Sequence, residues 1–274
     1  MVDPLELARD MQRLRPWLDA VSGSDCDYRR LEGAPFGSAL VAIDRATRGG
    51  RNPSTNRNAI HLCGVGAGLD EPGLAALLAI FADEGIGRFF IHLAPGPGMD
   101  RARDLIRAAG FERHLWVRYP VLALVGTAKP PAPGGIVARE VGRDEALAAR
   151  EAMSATMRSR FAASPRGPGV RHLLAFDGDR PIAHAALAHH ERLACIGWLS
   201  IRAPARRGAA EQALIAAAVA MARTLGTERI VAETLAVLGA ARAGFMRAGF
   251  HEVYERETYR LAGAGTLGGV DMPR

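Results

Sequence analysis

The sequence has few cysteines, few aromatic residues and no long apolar run. Cys26, Cys63 and Cys195 are an odd number without a Cys-x-x-Cys spacing, which argues against a disulfide framework and a structural zinc site. We therefore expect no metal and a reducing compartment, the cytoplasm. The longest apolar run, at 213–222, is too short to span a bilayer, and the first residues lack the basic-then-apolar pattern of a signal peptide. These features predict a soluble protein without a membrane partner.

The remaining composition suits a folded protein with an anionic partner. With 274 residues, 49% of them hydrophobic, the chain can form one large domain or two ordinary ones. The net charge of +6 comes largely from arginine and favours a small anion or a nucleic acid. A nucleic-acid surface needs a basic stripe with exposed aromatic residues, but the aromatic content is only 6% and the arginines are scattered. We therefore expect no nucleic-acid partner.

Two segments of the chain resemble each other when Gly85 is aligned with Gly226. GIGRFFIHLAP and GTERIVAETLA are apolar, strand-like runs, and each follows a helical stretch. A second helix then ends at Gly110-Phe111 in one segment and at Gly249-Phe250 in the other. A glycine can take the left-handed conformation that ends a helix, and the phenylalanine can then pack on the core. We interpret the pattern as a duplicated helix–strand–helix–strand unit.

The two copies are separated by a segment with the composition of a linker. GTAKPPAPGG, at 126–135, contains three prolines and three glycines. We predict a first domain at 1–126, a linker at 127–134 and a second domain at 135–274. In the second domain, a strand, a helix and a hairpin-rich section precede the duplicated unit. The predicted fold is α/β in both domains, each with a mixed, mostly antiparallel sheet flanked by helices.

An arginine-rich turn lies between an apolar run that ends near Ile201 and a helical stretch that starts near Ala209. It carries Arg206, Arg207 and Gly208. The first N–H groups of a helix have no partner within the helix, and the helix dipole is positive there. Guanidinium groups bind phosphates, and a glycine lets the backbone approach them closely. The turn therefore predicts a seat for a phosphate or diphosphate, with a solvated surface loop as the structural alternative.

The order strand, arginine-rich turn, long helix, strand, helix, Gly-Phe and strand over residues 136–261 resembles the Gcn5-related N-acetyltransferase (GNAT) family, which includes tandem proteins. The resemblance implies acetyl-CoA as co-substrate and no metal. It also implies that backbone N–H groups at the turn hold the diphosphate, and that a backbone N–H on the preceding strand holds the thioester carbonyl where two parallel strands separate. The residues that it assigns to acetyl-CoA are Leu199, Ser200, Ile201, Arg206, Arg207, Gly208, Ala209, Ala210, Glu211 and Gln212.

The sequence departs from the family's pattern in the turn. The motif is Arg or Gln, two residues, Gly, one residue, then Gly or Ala. Counted from Arg207, its last two positions hold Ala210 and Gln212. Counted from Arg206, they hold Ala209 and Glu211. The register therefore stays open by one residue.

A second departure concerns the group that protonates the leaving thiolate. The family often has a tyrosine four residues before the glycine of Gly-Phe, and an asparagine seven residues earlier. Phe245 and Leu238 occupy these positions. Either water or another residue supplies the proton, or the domain binds acyl-CoA without fast turnover.

Two side chains are candidates for removing a proton from an acceptor amine. Glu233 lies near the end of an apolar strand, although it could instead cap the next helix or pair with an arginine. His184 shares the strand parity of Ile182 and Ala186, so it faces a cavity or is a buried core histidine.

The first copy lacks the features of the cationic turn. Its equivalent segment, GVGAGLDEPG at 64–73, has no arginine, and Asp70 and Glu71 lie at the helix start, where they would repel a phosphate. We predict that only the second copy binds acetyl-CoA and that the first is degenerate, shaping the acceptor pocket or a dimer surface.

Taken with the resemblance, these residues lead us to expect an N-acyltransferase that moves an acetyl group from acetyl-CoA to an amine in a ternary complex. The acceptor is a small molecule or a protein amine, and the enzyme is a monomer or homodimer. A non-catalytic acyl-CoA-binding or interaction module is the alternative.

Overall fold

The computed structural model describes residues 2–21, 26–33, 36–50, 57–64, 69–115, 117–125, 135–153, 169–201 and 207–262. The helices in these ranges are α1 (Pro4–Val21), α2 (Glu71–Asp83), α3 (Met99–Ala108), α4 (Arg143–Met153), α5 (Arg207–Thr224) and α6 (Gly239–Arg247), with a 3₁₀ helix at Arg45–Gly50. The strands are β1 (Cys26–Gly33), β2 (Gly37–Asp44), β3 (Ala59–Cys63), β4 (Phe90–Leu93), β5 (Phe111–Arg113), β6 (Tyr119–Leu124), β7 (Val137–Val141), β8 (Val170–Asp177), β9 (Arg180–His190), β10 (Leu193–Ile201), β11 (Arg229–Glu233) and β12 (Phe250–Leu261).

The chain divides into two compact units. We call one the N-terminal unit; it contains the described residues of 4–12, 25–118 and 256–274. The other, the C-terminal unit, contains those of 1–3, 13–24 and 119–255. Helix α1 and strand β12 each supply residues to both units.

The sheet of the N-terminal unit has the order β1-β2-β3-β4-β12. The neighbours pair antiparallel except β3 and β4, which are parallel, and β5 also pairs with β12. Leu74, Leu77 and Phe81 recur at helical spacing along α2 and are buried in the core of this unit. That core also takes alternate residues of β2, β3 and β4 from one face of the sheet.

The sheet of the C-terminal unit has the order β7-β8-β9-β10-β11-β6-β12. Only the β10–β11 pair is parallel among the registers described from β7 to β6. Helix α5 packs against β7 to β10 with buried Ala210, Ala213, Leu214 and Ala218, whose spacing keeps one apolar stripe on the sheet. The mixed, open α/β architecture expected from the sequence is confirmed.

Antiparallel strands open both units, three in the N-terminal unit (β1 to β3) and four in the C-terminal unit (β7 to β10, with α4 after β7). In both units a helix, a parallel strand, a second helix and a further strand follow. The glycines aligned in the sequence have the same conformation, since Gly110 and Gly249 have φ of 87° and 94°. Phe111 and Phe250 are both buried in the cores. The predicted role of the Gly-Phe pair, ending a helix and returning the chain to the core, is therefore confirmed.

One strand of each sheet comes from the other half of the chain. Strand β6 precedes residue 126, yet it pairs with β11 in the C-terminal unit. The second part of β12 comes near the end of the chain, yet it pairs with β4 in the N-terminal unit. The domain boundaries at 126 and 135 remain a sequence-based prediction, and the linker at 127–134 lies outside the described residues.

Candidate functional site

Strands β10 and β11 separate in the C-terminal unit. Their parallel register covers four residue pairs and ends at Ile196 and Ala232. Beyond this point β10 continues beside β9 to Ile201, with an irregularity between Gly197 and Ser200, and Glu233 pairs with β6. The two strands therefore stop pairing at Ile196 and Ala232, and the last residues of β10 pair with β9 alone among the registers described. The three residues expected to contact a thioester, Leu199, Ser200 and Ile201, lie on this part of β10.

Helix α5 begins shortly after β10 ends. Its first residue is Arg207, two residues earlier than the sequence suggested, and it runs for 18 residues. Arg206 and the side chain of Arg207 lie outside the described residues. Gly208 is exposed, and a Cβ there would meet nothing within 4 Å. The first N–H groups of a helix have no partner within the helix, and the helix dipole is positive at this end, which follows β10 closely in the chain.

The two large side chains in the expected glycine positions turn toward α6. Gln212 donates from Nε2 to the carbonyl oxygen of Gly244 at 3.0 Å. The carboxylate of Glu211 is buried beside Gly244, and Arg247 lies 3.4 Å from it. The expected glycine is therefore absent from α5, but Gly244 on α6 provides the space for the Glu211 side chain and the carbonyl oxygen that Gln212 binds.

The fit at Gly244 gives a stability prediction. A Cβ on Gly244 would lie 2.3 Å from the Glu211 carboxylate, so Gly244→Ala forces a buried charge out of its place. We expect the change to lower the free energy of unfolding by about 1–3 kcal/mol. In a Glu211→Ala background the same change should be neutral or stabilising by up to about 1 kcal/mol, because alanine favours a helix. Urea unfolding of the four proteins measures the coupling, and equal effects in both backgrounds would contradict it.

Glu233 ends β11 and forms an ion pair that the sequence does not reveal. Arg15 of α1 donates from Nη1 to Glu233 Oε2 at 2.9 Å and from Nε to Asp19 Oδ1 at 2.8 Å. All three side chains are largely buried, with exposed fractions of 11–16%. The alternative of pairing with an arginine is the arrangement found. Arg15 and Asp19 are four residues apart on a helix, so their spacing predicts that they pair with each other. It does not predict the contact with Glu233.

His184 is fully buried and bonded to a second histidine. Its Nε2 lies 3.2 Å from Nδ1 of His172, a residue that the sequence analysis missed. In the register of β9 and β10, His184 lies opposite Ser200. The expected shared parity with Ile182 is wrong, because the β8–β9 register shifts there and Ile182 joins the core with Ala183.

Phe245 and Leu238 occupy the positions where the family resemblance implies a tyrosine and an asparagine. Phe245 is buried and packs edge-on against Phe250, with ring centroids 5.3 Å apart. Leu238 is the N-cap residue of α6 and makes no side-chain cap hydrogen bond. Neither can give a proton to a thiolate.

The corresponding strands of the N-terminal unit stay in contact beyond their register. After the β3–β4 register ends, the N–H of Ala94 still donates to the oxygen of Leu62 at 2.9 Å. A Cβ on Gly96 would lie 3.2 Å from Gly64 Cα and 3.3 Å from a methyl carbon of Leu5, so the two backbones approach closely here. The start of α2 is occupied by the side chain of Asp70, which accepts from the N–H of Gly73 at 2.8 Å.

Within the described ranges, no group of three or more His, Cys, Asp or Glu side chains is arranged to hold a metal ion. None of the described helices is long and apolar enough to cross a membrane. His190 and Arg192 flank a tight turn at Glu191, whose φ is 51°, and the ring of His190 stacks on Trp17 of α1.

The fold is similar to that of several solved proteins. A GCN5-related N-acetyltransferase from Kribbella flavida is 18% identical, with 96% of this chain and 97% of that one covered at a TM-score of 0.63. A tandem GNAT protein from the clavulanic acid biosynthesis pathway is 15% identical, with 92% and 95% covered and a TM-score of 0.55. A conserved protein of unknown function from Staphylococcus epidermidis is 8% identical, with 86% and 94% covered and a TM-score of 0.58. No protein-family model and no curated protein matches the sequence.

Proposed function

We propose that the protein is an N-acyltransferase of the GNAT type, which transfers an acetyl group from acetyl-CoA to an amine. The observation that carries the proposal is that β10 stops pairing with β11 beyond Ile196, shortly before the start of α5 in the chain. Two of the similar proteins are GNAT proteins, which supports the assignment at the level of fold. The acceptor is a small molecule or a protein amine.

Only the C-terminal unit is proposed to bind acetyl-CoA. Its strands stop pairing beyond Ile196, and Gly208 in the first turn of α5 is exposed. In the N-terminal unit, Gly64 and Gly96 bring the equivalent backbones together, and Asp70 already caps the equivalent helix. A carboxylate at a helix start repels a diphosphate. The first copy is therefore proposed to support the site and not to bind the co-substrate.

Different residues of the C-terminal unit are proposed to bind the diphosphate and the thioester of acetyl-CoA. Arg206, Arg207 and the first amides of α5 hold the diphosphate, with the helix start made by Gly208, Ala209 and Ala210. A backbone N–H within Leu199–Ile201 donates to the thioester carbonyl and stabilises the negative charge that develops on it. Glu211 and Gln212 shape the α5–α6 contact and leave the diphosphate to main-chain groups.

The transfer itself needs no covalent enzyme intermediate. The amine nitrogen attacks the thioester carbon and the C–N bond forms; the nitrogen then gives its surplus proton to water as the C–S bond breaks. The thiolate takes a proton from water, because Phe245 has none to give. The acceptor ammonium must lose a proton first. Glu233 and His184 are the two candidates for that step on this side of the sheet.

A non-catalytic acyl-CoA-binding module is the second candidate function. Phe245 favours it, because a site without an acid for the thiolate binds the thioester but turns it over slowly. Isothermal titration with acetyl-CoA, followed by thiol release with an amine panel, separates the two. Binding with thiol release supports the transferase, binding without release supports the module, and no binding contradicts both.

Charge reversal at the helix start tests the position of the diphosphate. We expect Arg207→Glu to weaken acetyl-CoA binding at least about tenfold, or about 1.4 kcal/mol, because it sets a negative charge against the diphosphate. The matched control is Asp70→Asn, which keeps an acceptor for the Gly73 N–H and should leave the dissociation constant unchanged. An unchanged constant in Arg207→Glu would place the diphosphate elsewhere.

A further inference from the structure

Arg15 is a permanent cation in contact with the end of β11. Burial alone would lower its pKa, but the charges of Asp19 and Glu233 and its hydrogen bonds to both raise the pKa well above the ordinary value. The guanidinium makes two contacts to Asp19 Oδ1 and one to Glu233 Oε2, all within 2.9 Å. The contacts with Asp19, which lies on the same helix α1, therefore hold the Arg15 guanidinium in place beside Glu233.

This contact limits what Glu233 can do. A general base must gain a proton at the working pH and then release it. A proton on Glu233 would remove the charge that pairs with Arg15 in a largely buried setting, and losing one partner of a buried pair is strongly unfavourable. The contact with Arg15 thus favours the ionised carboxylate, which makes Glu233 a poor proton acceptor.

We propose that Arg15 is the positioning residue of the acceptor site, which orients Glu233 and holds it as a fixed anion. The inference rests on the proposed transferase function. Glu233 then acts on the acceptor by charge, favouring an amine that arrives as an ammonium ion. The ammonium N–H bond breaks with the proton passing to water, and the freed lone pair attacks the thioester. The acid side of the pH profile should follow the ionisation of the acceptor.

The first test replaces the carboxylate and leaves Arg15 in place. For Glu233→Gln we expect the KM of a cationic amine to rise about tenfold or more, while kcat at saturating acceptor changes by less than about threefold. Removing a true general base costs about 10²- to 10⁴-fold in rate, and such a loss of kcat would overturn the proposal. Unchanged KM and kcat would overturn it too, because the pair would then be structural only.

The second test changes the cation. In Arg15→Gln, the largely buried Glu233 carboxylate loses the guanidinium charge beside it, which favours its neutral form, so the acceptor KM should rise more steeply than in the wild type as the pH is lowered. Arg15→Lys keeps the charge and should retain the wild-type dependence of KM on pH. The control is Arg139→Gln, which removes an exposed pair with Glu145 in the same unit and should change nothing. An Arg15→Gln profile identical to the wild type would contradict the inference.

These outcomes are distinct from failure of the proposed function. If the wild-type protein neither binds acetyl-CoA nor releases thiol, the transferase proposal fails before any variant is compared. If it does both, the split between KM and kcat in Glu233→Gln decides the role of Arg15. Should Arg15→Gln fail to fold, Glu233→Gln still carries the test, because glutamine keeps an oxygen that accepts from Arg15.

Discussion

Glu257→Gln is expected to lower the free energy of unfolding by about 3 kcal/mol or more, because it breaks a buried charge network. Glu257 lies on the second part of β12, buried in the N-terminal unit. Its carboxylate accepts from Arg103 at 2.9 Å, from the hydroxyl of the fully buried Tyr259 at 2.7 Å, and lies 3.2 Å from Arg113. The amide of glutamine presents N–H groups to the same donors, so Arg113 and Arg103 lose this carboxylate, and Arg103 keeps only its pair with the exposed Asp100.

The comparison is with a pair between β5 and β12 that faces solvent. Glu112 accepts from Arg260 at 2.8 Å, but its side chain is 47% exposed. Exposed pairs contribute about 0–1 kcal/mol, so Glu112→Gln should have little effect. Urea unfolding gives the two values, and hydrogen exchange at 90–93 and 256–261 shows whether the loss is local to β4 and β12. Equal effects for the two variants would contradict the assignment of Glu257.

The same network fixes the direction of the pH dependence. Burial alone would raise the pKa of Glu257, but the hydrogen bonds from Arg103 and Tyr259 and the charge of Arg113 lower it. A folded-state pKa below the unfolded value stabilises the fold above the unfolded value, about 4.3. That contribution is lost as the pH falls through the folded pKa. Burial and Glu257 raise the pKa of Tyr259 to about 12, so its contribution is lost as the pH rises through that value. In Glu257→Gln, both the loss of stability at low pH and the loss at high pH should become smaller.

The local elements were predictable because their signals are local. Gly110 and Gly249 end helices, and the phenylalanines that follow them are buried, as the repeated Gly-Phe pair in the sequence predicted. Strand β9 covers the run RPIAHAALAHH, in the section expected to form hairpins. The parallel pair β10–β11 agrees with what the family resemblance implied.

The contacts within the site were not predictable from single segments. Nothing local to MQRLRPWLD indicates that Arg15 meets a glutamate 218 positions away. The parity of β9 failed at Ile182 because one shifted pair changes which face a side chain takes. The room for Glu211 is supplied by a glycine on another helix. Each of these features depends on residues that are far apart in the chain, and a single sequence contains no local pattern that predicts such contacts.

Cutting the chain at its sequence-based boundaries is expected to abolish folding of both pieces. Residues 1–126 alone lack the segment of β12 that pairs with β4. Residues 135–274 alone lack β6, which pairs with β11, and Arg15, which pairs with Glu233. Each piece therefore exposes a strand edge that is an aggregation site, and the second also leaves a largely buried carboxylate without its guanidinium. Circular dichroism and urea unfolding should show no cooperative transition for either piece.

Keeping both pieces together is the matched control. A protease site placed within 127–134 lets the intact chain fold first and be cut afterwards, so that β6 and β12 stay paired. The cut protein should keep its cooperative unfolding and its affinity for acetyl-CoA, and the two pieces should co-purify. If residues 135–274 alone unfold cooperatively and bind acetyl-CoA as the full chain does, β6 and Arg15 are dispensable, and the C-terminal copy is an autonomous domain. Loss of folding in the separate pieces alone shows instead that each sheet needs the strand that the other half of the chain supplies.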